Sequence, residues 1–286
     1  MMKRGPFLRG RRKLVLSFLV LALAITAWLL MLAWRQARHD ADLSRRLPEW
    51  SGLKGLEPCP PALPGKSVRL LILGQSNAAN FGEPGVASGE RVSVMHPNGC
   101  TLASDPLPGG RGEGASIWSR LPRALREQDV RRELNIALIA VETTSIDDWS
   151  RSSSPLSRHM VQRLAELSAA GWAPDLVLWQ QGEADALLGT PRGSYVRDFE
   201  RLLLALRRQG ITAPVLLAHS THCKQADGAE VRAAIDTLLQ SHPDLLTGAD
   251  TDTLIDKSRV GDCHLSNQGL AQAAQLWAQA LKVALR

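Results

Sequence analysis

The chain has 286 residues, 44% hydrophobic and 22% charged, a globular balance that excludes wholesale disorder and collagen-like repeats. Its net charge of +6 has one source: residues 1–13 carry six basic side chains and no acid, and the rest holds 28 basic against 28 acidic residues. A nucleic-acid-binding body needs a clustered basic face, so no nucleic-acid partner is expected.

Residues 14–34 run for 21 positions without a charge, and only Ser17 and Thr26 are polar. As a helix rising about 1.5 Å per residue they span roughly 30 Å, one hydrocarbon core. Trp28 and Trp34 stand toward the far end, where amphipathic rings prefer the interface. The basic flank precedes the span, so residues 1–13 are expected in the cytoplasm and everything after residue 34 outside it, in the periplasm or its equivalent. A cleaved signal peptide is the rival, since Ala22-Leu23-Ala24 has the small-x-small form of a cleavage site. The apolar run continues ten residues past that site, which favours an uncleaved transmembrane anchor. Residues 35–65 read as an extracytoplasmic linker. Arg38 to Arg46 is charged and able to prolong the helix, and Pro48, Pro58, Pro60, Pro61 and Pro64 then forbid regular structure.

From residue 66 the pattern changes to short apolar runs alternating with amphipathic stretches. Strands are predicted at Ser67–Leu73, Asn135–Val141, Asp175–Trp179 and Ala213–Ala218. Helices are predicted at Ile117–Gln128, Met160–Ala170, Ser194–Gln209, Ala229–Ser241 and Asn267–Ala284, the last behind Ser266 as N-cap. Continuous apolar strands imply a parallel sheet covered on both faces, and strand–helix alternation implies a doubly wound α/β layer. In such sheets the site lies beyond the carboxyl ends of the strands.

Those ends are rich in chemistry. Gly74-Gln75-Ser76-Asn77 follows the first strand and Glu142 to Trp149 the second. Gln180-Gln181-Gly182-Glu183-Ala184-Asp185 follows the third and His219 to Cys223 the fourth, and Gly261-Asp262-Cys263-His264 precedes the last helix. An attacking hydroxyl needs an imidazole, the imidazole needs a carboxylate to orient it, and the oxyanion needs preorganised donors. Ser76 supplies a nucleophile and His264 a candidate base, with Gln181, Asn77 and backbone N–H groups as candidate donors. The plainer readings are a turn serine at Ser76, solvated loop carboxylates at Glu183 and Asp185, caps at Asp147 and Asp148, and core packing for Trp118, Trp149 and Trp179. The four cysteines, Cys59, Cys100, Cys223 and Cys263, all lie beyond the span; an even count in an oxidising compartment favours disulfides over buried thiols. Zinc is not expected, because the dipeptides His222-Cys223 and Cys263-His264 lack a metal-ligand spacing. No cofactor is implied.

GQSN after the first strand, WQQGEAD after the third and an Asp-x-His before the terminal helix resemble the SGNH (GDSL-like) hydrolase superfamily, in particular its sialate O-acetylesterase-like carbohydrate esterases. Asp105 to Gly109, Gly114 to Trp118 and Thr144 to Trp149 resemble that branch as well. The likeness covers roughly residues 67–286. It implies a flavodoxin-like three-layer α/β/α fold over residues 66–286, and metal-independent removal of acetyl esters from an acetylated glycan through a serine acyl-enzyme. Carried over by position, Ser76 is the nucleophile and one backbone donor, His264 the base, and Gln181 a side chain toward the oxyanion; Gln75, Asn77 and Thr143 line the same place. Two positions depart from the pattern. Glu142 and Thr143 stand where the family usually has glycines. Gly261 stands where the usual Asp-x-x-His places its acid, leaving Asp262 or Glu183 to support His264, or a bare Ser–His pair. In that fold Cys223 and Cys263 both sit at the carboxyl edge of the sheet, and they are expected to pair, with Cys59–Cys100 the second bond. An acetyltransferase using the same serine, or an inactive glycan-binding module, are the alternatives.

Overall fold

The computed structural model describes residues 7–48, 57–60, 65–85 and 89–286. The chain divides into two units, Met1–Arg45 and Arg46–Arg286. The first is essentially one helix, α1 (Phe7–Arg46), so the charged stretch after the apolar run does prolong it. It ends just before Pro48, whose ring restricts the preceding residue to extended geometry. Among the described residues α1 is long and apolar enough to cross a membrane, with a mean hydropathy of 2.0 in its most apolar window. Most of the proline-rich linker, residues 49–56 and 61–64, lies outside the described residues.

The second unit is built on a seven-stranded sheet. Its strands are β1 (Ser67–Gly74), β2 (Val92–His96), β3 (Gly99–Ala103), β4 (Glu133–Ala140), β5 (Leu176–Gln180), β6 (Val215–His219) and β7 (Leu245–Asp250), in the order β3-β2-β4-β1-β5-β6-β7. Every neighbouring pair is parallel except β2–β3. The sheet is therefore mixed rather than wholly parallel, because Pro97-Asn98 is too short a connection for a crossover and forces a hairpin. β2, β3 and β7 escaped the apolar-run criterion. Their buried positions are interrupted by half-exposed ones, as in Val92–His96, so no continuous apolar stretch marks them.

Alternate residues of the central strands serve two cores. Leu70, Ile72, Ile136, Leu138 and Leu178 pack with Trp118, α2 (Leu121–Glu127) and α8 (Asn267–Ala284) on one face. Trp179 points to the other, where its ring lies 5.4 Å from Trp149 of α3 (Ile146–Ser150) and 5.7 Å from Phe199 of α6 (Arg192–Arg208). The helices α4 (Pro155–Ala169) and α7 (Ala229–Ser241) complete that layer, and α5 (Glu183–Leu188) caps the end of β5. Leu70, Leu71, Ile72 and Leu73 are each fully buried, worth about 1.5–3 kcal/mol apiece. Trp118, Trp149 and Trp179 are buried in the core. Ser266 caps α8, accepting from Gly269 N–H at 3.1 Å. Both expected disulfides are present, Cys59–Cys100 and Cys223–Cys263.

Candidate active site

β1 is the strand at which the chain's winding reverses, with β4 on one side and β5 on the other. Its last residue, Gly74, is level with Ala140 and Gln180, so the three following loops converge. A side chain at Gly74 is impossible: a Cβ would stand 2.0 Å from the Gln180 carbonyl oxygen. Beyond it, Ala78 and Ala79 N–H donate to Gln75 O at 2.9 and 3.0 Å, closing Ser76–Ala78 into a single 3₁₀ turn. The Ser76 N–H opens that turn and has no acceptor among the described residues, as at any helix start. The turn is fastened from several directions. Ala184 N–H donates to Gln75 Oε1 (3.1 Å) and Trp118 Nε1 to Ala78 O (2.7 Å). Asn80 accepts from Leu107 N–H (2.8 Å) and donates to the Leu107 and Gly110 carbonyls (both 2.9 Å).

His264 arrives on a small hairpin of β8 (Arg259–Val260) and β9 (His264–Leu265), and β9 lies against the Ser76 turn. Asn77 Nδ2 donates to Cys263 O at 3.3 Å, joining the two directly. The hairpin reverses through Gly261 and Asp262, with φ of +59° and +54°. Two successive left-handed residues favour glycine and aspartate, which gives position 261 a backbone reason to be glycine. The Asp262 carboxylate faces away toward the loop after β6, where His222 Nε2 lies 2.9 Å from Oδ1. Lys224 N–H donates to Asp262 O at 2.8 Å, and the Cys223–Cys263 disulfide lies between these contacts. The half-buried His264 ring stands 5.4 Å from the Phe81 ring. Neither it nor the Ser76 hydroxyl hydrogen-bonds to a described residue, and no carboxylate touches it. Burial, then the charges of Arg259 and Lys224, hold the His264 pKa below its ordinary 6.5, so the ring is neutral at pH 7.

Glu183 is 1% exposed and belongs to a buried network rather than a solvated loop. Its Oε1 accepts from Asn77 Nδ2 (2.7 Å) and Ser220 Oγ (2.8 Å), while Oε2 has no partner among the described residues. Burial raises its pKa to about 7, against the lowering pull of those hydrogen bonds and of Arg259. The buried Arg259 guanidinium in turn donates to the Leu254, Thr251 and Cys263 carbonyls at 2.7, 2.6 and 2.7 Å. The folded protein thus holds the Glu183 proton more tightly than the unfolded chain, where the value is 4.5. Stability should fall as pH rises from about 4.5 through about 7 and level off above, by up to ~3 kcal/mol. Glu183→Gln should flatten this slope. Urea titrations at pH 5, 6, 7 and 8 check it, and an unchanged slope would place the ionisation elsewhere.

Gln181, also fully buried, has no proton left to give: Nε2 donates to Thr144 O (2.9 Å) and Asp185 Oδ2 (2.5 Å), and Oε1 accepts from Tyr195 OH (2.9 Å). Main-chain donors remain free at this end of the sheet: the N–H groups of Ser76, Asn77 and Thr143 have no acceptor among the described residues. Thr143 is exposed, with φ +57°, a left-handed conformation rare for a β-branched residue. Such strain costs on the order of 1–2 kcal/mol. Thr143→Gly is expected to stabilise the fold by about 1 kcal/mol after the entropy of the unfolded glycine is deducted. A lower midpoint in denaturant would contradict this. Asp148 and Ser145 form a reciprocal cap at the start of α3, and Asp147 pairs with Arg151 at 3.0 Å. Beside Phe81 opens a cleft of about 660 Å³, lined also by Pro106, Gly110, Arg111 and Glu142. Among the described residues no cluster of His, Cys, Asp or Glu has the makings of a metal site. The roles of Asn80, Phe81, Ser220 and Arg259 emerge only in three dimensions, because their partners lie 27 to 183 residues away or are carbonyls that any sequence has.

The family model for carbohydrate esterases described as sialic acid-specific acetylesterase matches residues 68–282. No curated protein matches the chain. An Arabidopsis thaliana protein of solved structure is 20% identical, with a TM-score of 0.59 over 76% of this chain and 98% of its own. NanS is 16% identical, with a TM-score of 0.51 over 79% and 99% of the two chains. A family 3 carbohydrate esterase from Clostridium thermocellum is 12% identical, with a TM-score of 0.50 over 77% and 98%. At these identities the three share a fold with the second unit.

Proposed function

The chain belongs to the carbohydrate esterase, sialic acid-specific acetylesterase family, and on that premise we propose that it removes O-acetyl groups from a carbohydrate through an acyl-enzyme on Ser76. In this reading Ser76 Oγ attacks the acetyl carbonyl carbon while His264 takes its proton. The oxyanion accepts from the Ser76 and Thr143 N–H groups. The tetrahedral species collapses, the sugar hydroxyl leaves with the proton from His264, and water, activated by the same ring, releases acetate. Glu183 acts as a positioning residue: through Asn77 it holds the Cys263 carbonyl, and so the strand that carries His264. Asp262 holds the same hairpin from the other side through His222.

The observation that carries this reading is the Asn77–Cys263 hydrogen bond, which ties the serine turn, with its uncommitted Ser76 N–H, to the histidine strand. The apolar helix α1 and two disulfides further support a membrane-tethered enzyme with its amino end in the cytoplasm and its second unit in an oxidising compartment. The test uses the full chain in detergent with an acetylated sugar and a fluorophosphonate probe. One acetate should appear per ester consumed, and peptide mapping should place the phosphonyl adduct on Ser76. Acetyl appearing on an added glycan instead of as free acetate would make the protein a transferase, and no adduct with no turnover would make it a binding module.

A further inference from the structure

On the layer opposite α8, a groove of about 700 Å³ runs between α4 and α6, floored by the end of α3. Arg151, Arg158, Arg201 and Arg208 line it, and no acidic residue does. Two of the four guanidinium groups have carboxylates: Arg201 donates to Asp198 at 2.8 Å and Arg151 to Asp147 at 3.0 Å. Arg158 donates only to the Ser153 carbonyl, and Arg208 has no hydrogen bond or ion pair among the described residues. The Ser150 hydroxyl, on the groove floor and 8% exposed, has no partner either. The volume suits a few sugar residues. Planar guanidinium forks match carboxylates in pairs of parallel hydrogen bonds, and Gln162, whose Nε2 donates to Glu166 Oε1 at 2.9 Å, keeps its amide oxygen and second N–H for sugar hydroxyls.

One short helix separates the groove floor from the loop that carries Thr143. α3 is capped by Ser145, directly after Thr144, and ends at Ser150, five residues or about 8 Å further along its axis. We infer that this arginine-lined groove is a secondary binding surface for an acidic glycan chain, taking the sugar carboxylates of a polymer one or more residues away from the ester being cleaved. The inference rests on the reading of the substrate as carbohydrate, and it assigns the groove no part in the chemistry.

The test measures binding and hydrolysis separately on the full chain in detergent. The probe is polygalacturonate, with dextran as the neutral polymer and short-chain phosphatidylglycerol as the lipid alternative. The variant is Arg158→Glu with Arg208→Glu, two exposed positions whose replacement should leave the fold intact. Polygalacturonate should bind the parent protein in low salt, and the variant at least tenfold more weakly. Dextran should bind neither, and hydrolysis of p-nitrophenyl acetate should stay within twofold. Equal affinity of parent and variant for polygalacturonate, equal binding of dextran, or preferential binding of phosphatidylglycerol would each overturn the assignment. Because binding is read without turnover, a protein that binds polygalacturonate yet hydrolyses no ester would refute the esterase reading and leave the groove standing.

Discussion

Ser76→Ala should lower kcat for ester hydrolysis by about 10³-fold or more, His264→Ala should do the same, and the double variant should be no slower than either alone. The reason is that a nucleophile and its base act as one unit: once either is gone, the other has nothing to assist. Circular dichroism should show all three variants folded, because the Ser76 hydroxyl and the His264 ring make no hydrogen bond that the fold depends on. A double variant whose loss is the product of the single losses would mean that the residues act independently, and the pairing would be wrong. The same pair fixes the pH profile. The His264 pKa lies below 6.5, so kcat/KM should rise with pH through a midpoint under that value as the ring loses its proton. A midpoint above 7 would require a carboxylate on the ring, which the hairpin geometry does not provide.

Removing the Cys223–Cys263 bond should cost roughly 4 kcal/mol of stability in the chain-entropy view, because it closes a loop spanning a sequence separation of 40. The informative comparison is with Cys59–Cys100, whose separation of 41 predicts nearly the same loss. Only the first bond touches the residue next to His264. Cys223→Ser with Cys263→Ser should therefore lower kcat about tenfold or more in a protein that is still folded at low temperature. Cys59→Ser with Cys100→Ser should lose stability alone. The His222–Asp262 contact and the Lys224 N–H bond to Asp262 remain in the first variant and limit its loss. Denaturant midpoints and kcat, measured on both pairs of substitutions, separate the two roles. Equal kcat in both would remove the disulfide from the positioning of His264.

The buried centre of the fold was legible in the sequence because parallel strands covered on both faces must be apolar throughout. Four such runs located β1, β4, β5 and β6 to within about two residues, and the GQSN and QGEAD segments then fell at their carboxyl ends. The sheet margins were not legible. β2, β3 and β7 have one face or one end toward solvent, and their short mixed sequences resemble loops. For the site, residue types were readable but directions were not. Asp262 is two residues before His264, yet its carboxylate meets His222, because two left-handed residues turn the hairpin there. Gln181 is on the expected loop, yet its amide turns inward to Thr144 and Asp185. Thr143 stands where the family usually has glycine, and its backbone keeps the left-handed conformation that suits glycine better, with φ +57°.

The last stretch of linker bears on how a soluble form of the enzyme should be cut. β3 is an outer strand of the sheet, and residues 57–60 lie along it: Cys59 N–H donates to Cys100 O at 3.1 Å, Leu102 N–H to Glu57 O at 2.8 Å, and Pro58 bridges Thr101. A chain shortened to begin at residue 66 would keep every predicted strand and helix of the catalytic unit, but would strip this cover. It would leave Cys100 with an unpaired thiol on a bared strand edge, which invites disulfide-linked dimers and edge-to-edge association. A cut ahead of Glu57 keeps the edge sealed, so the end of the linker belongs with the sheet that it covers.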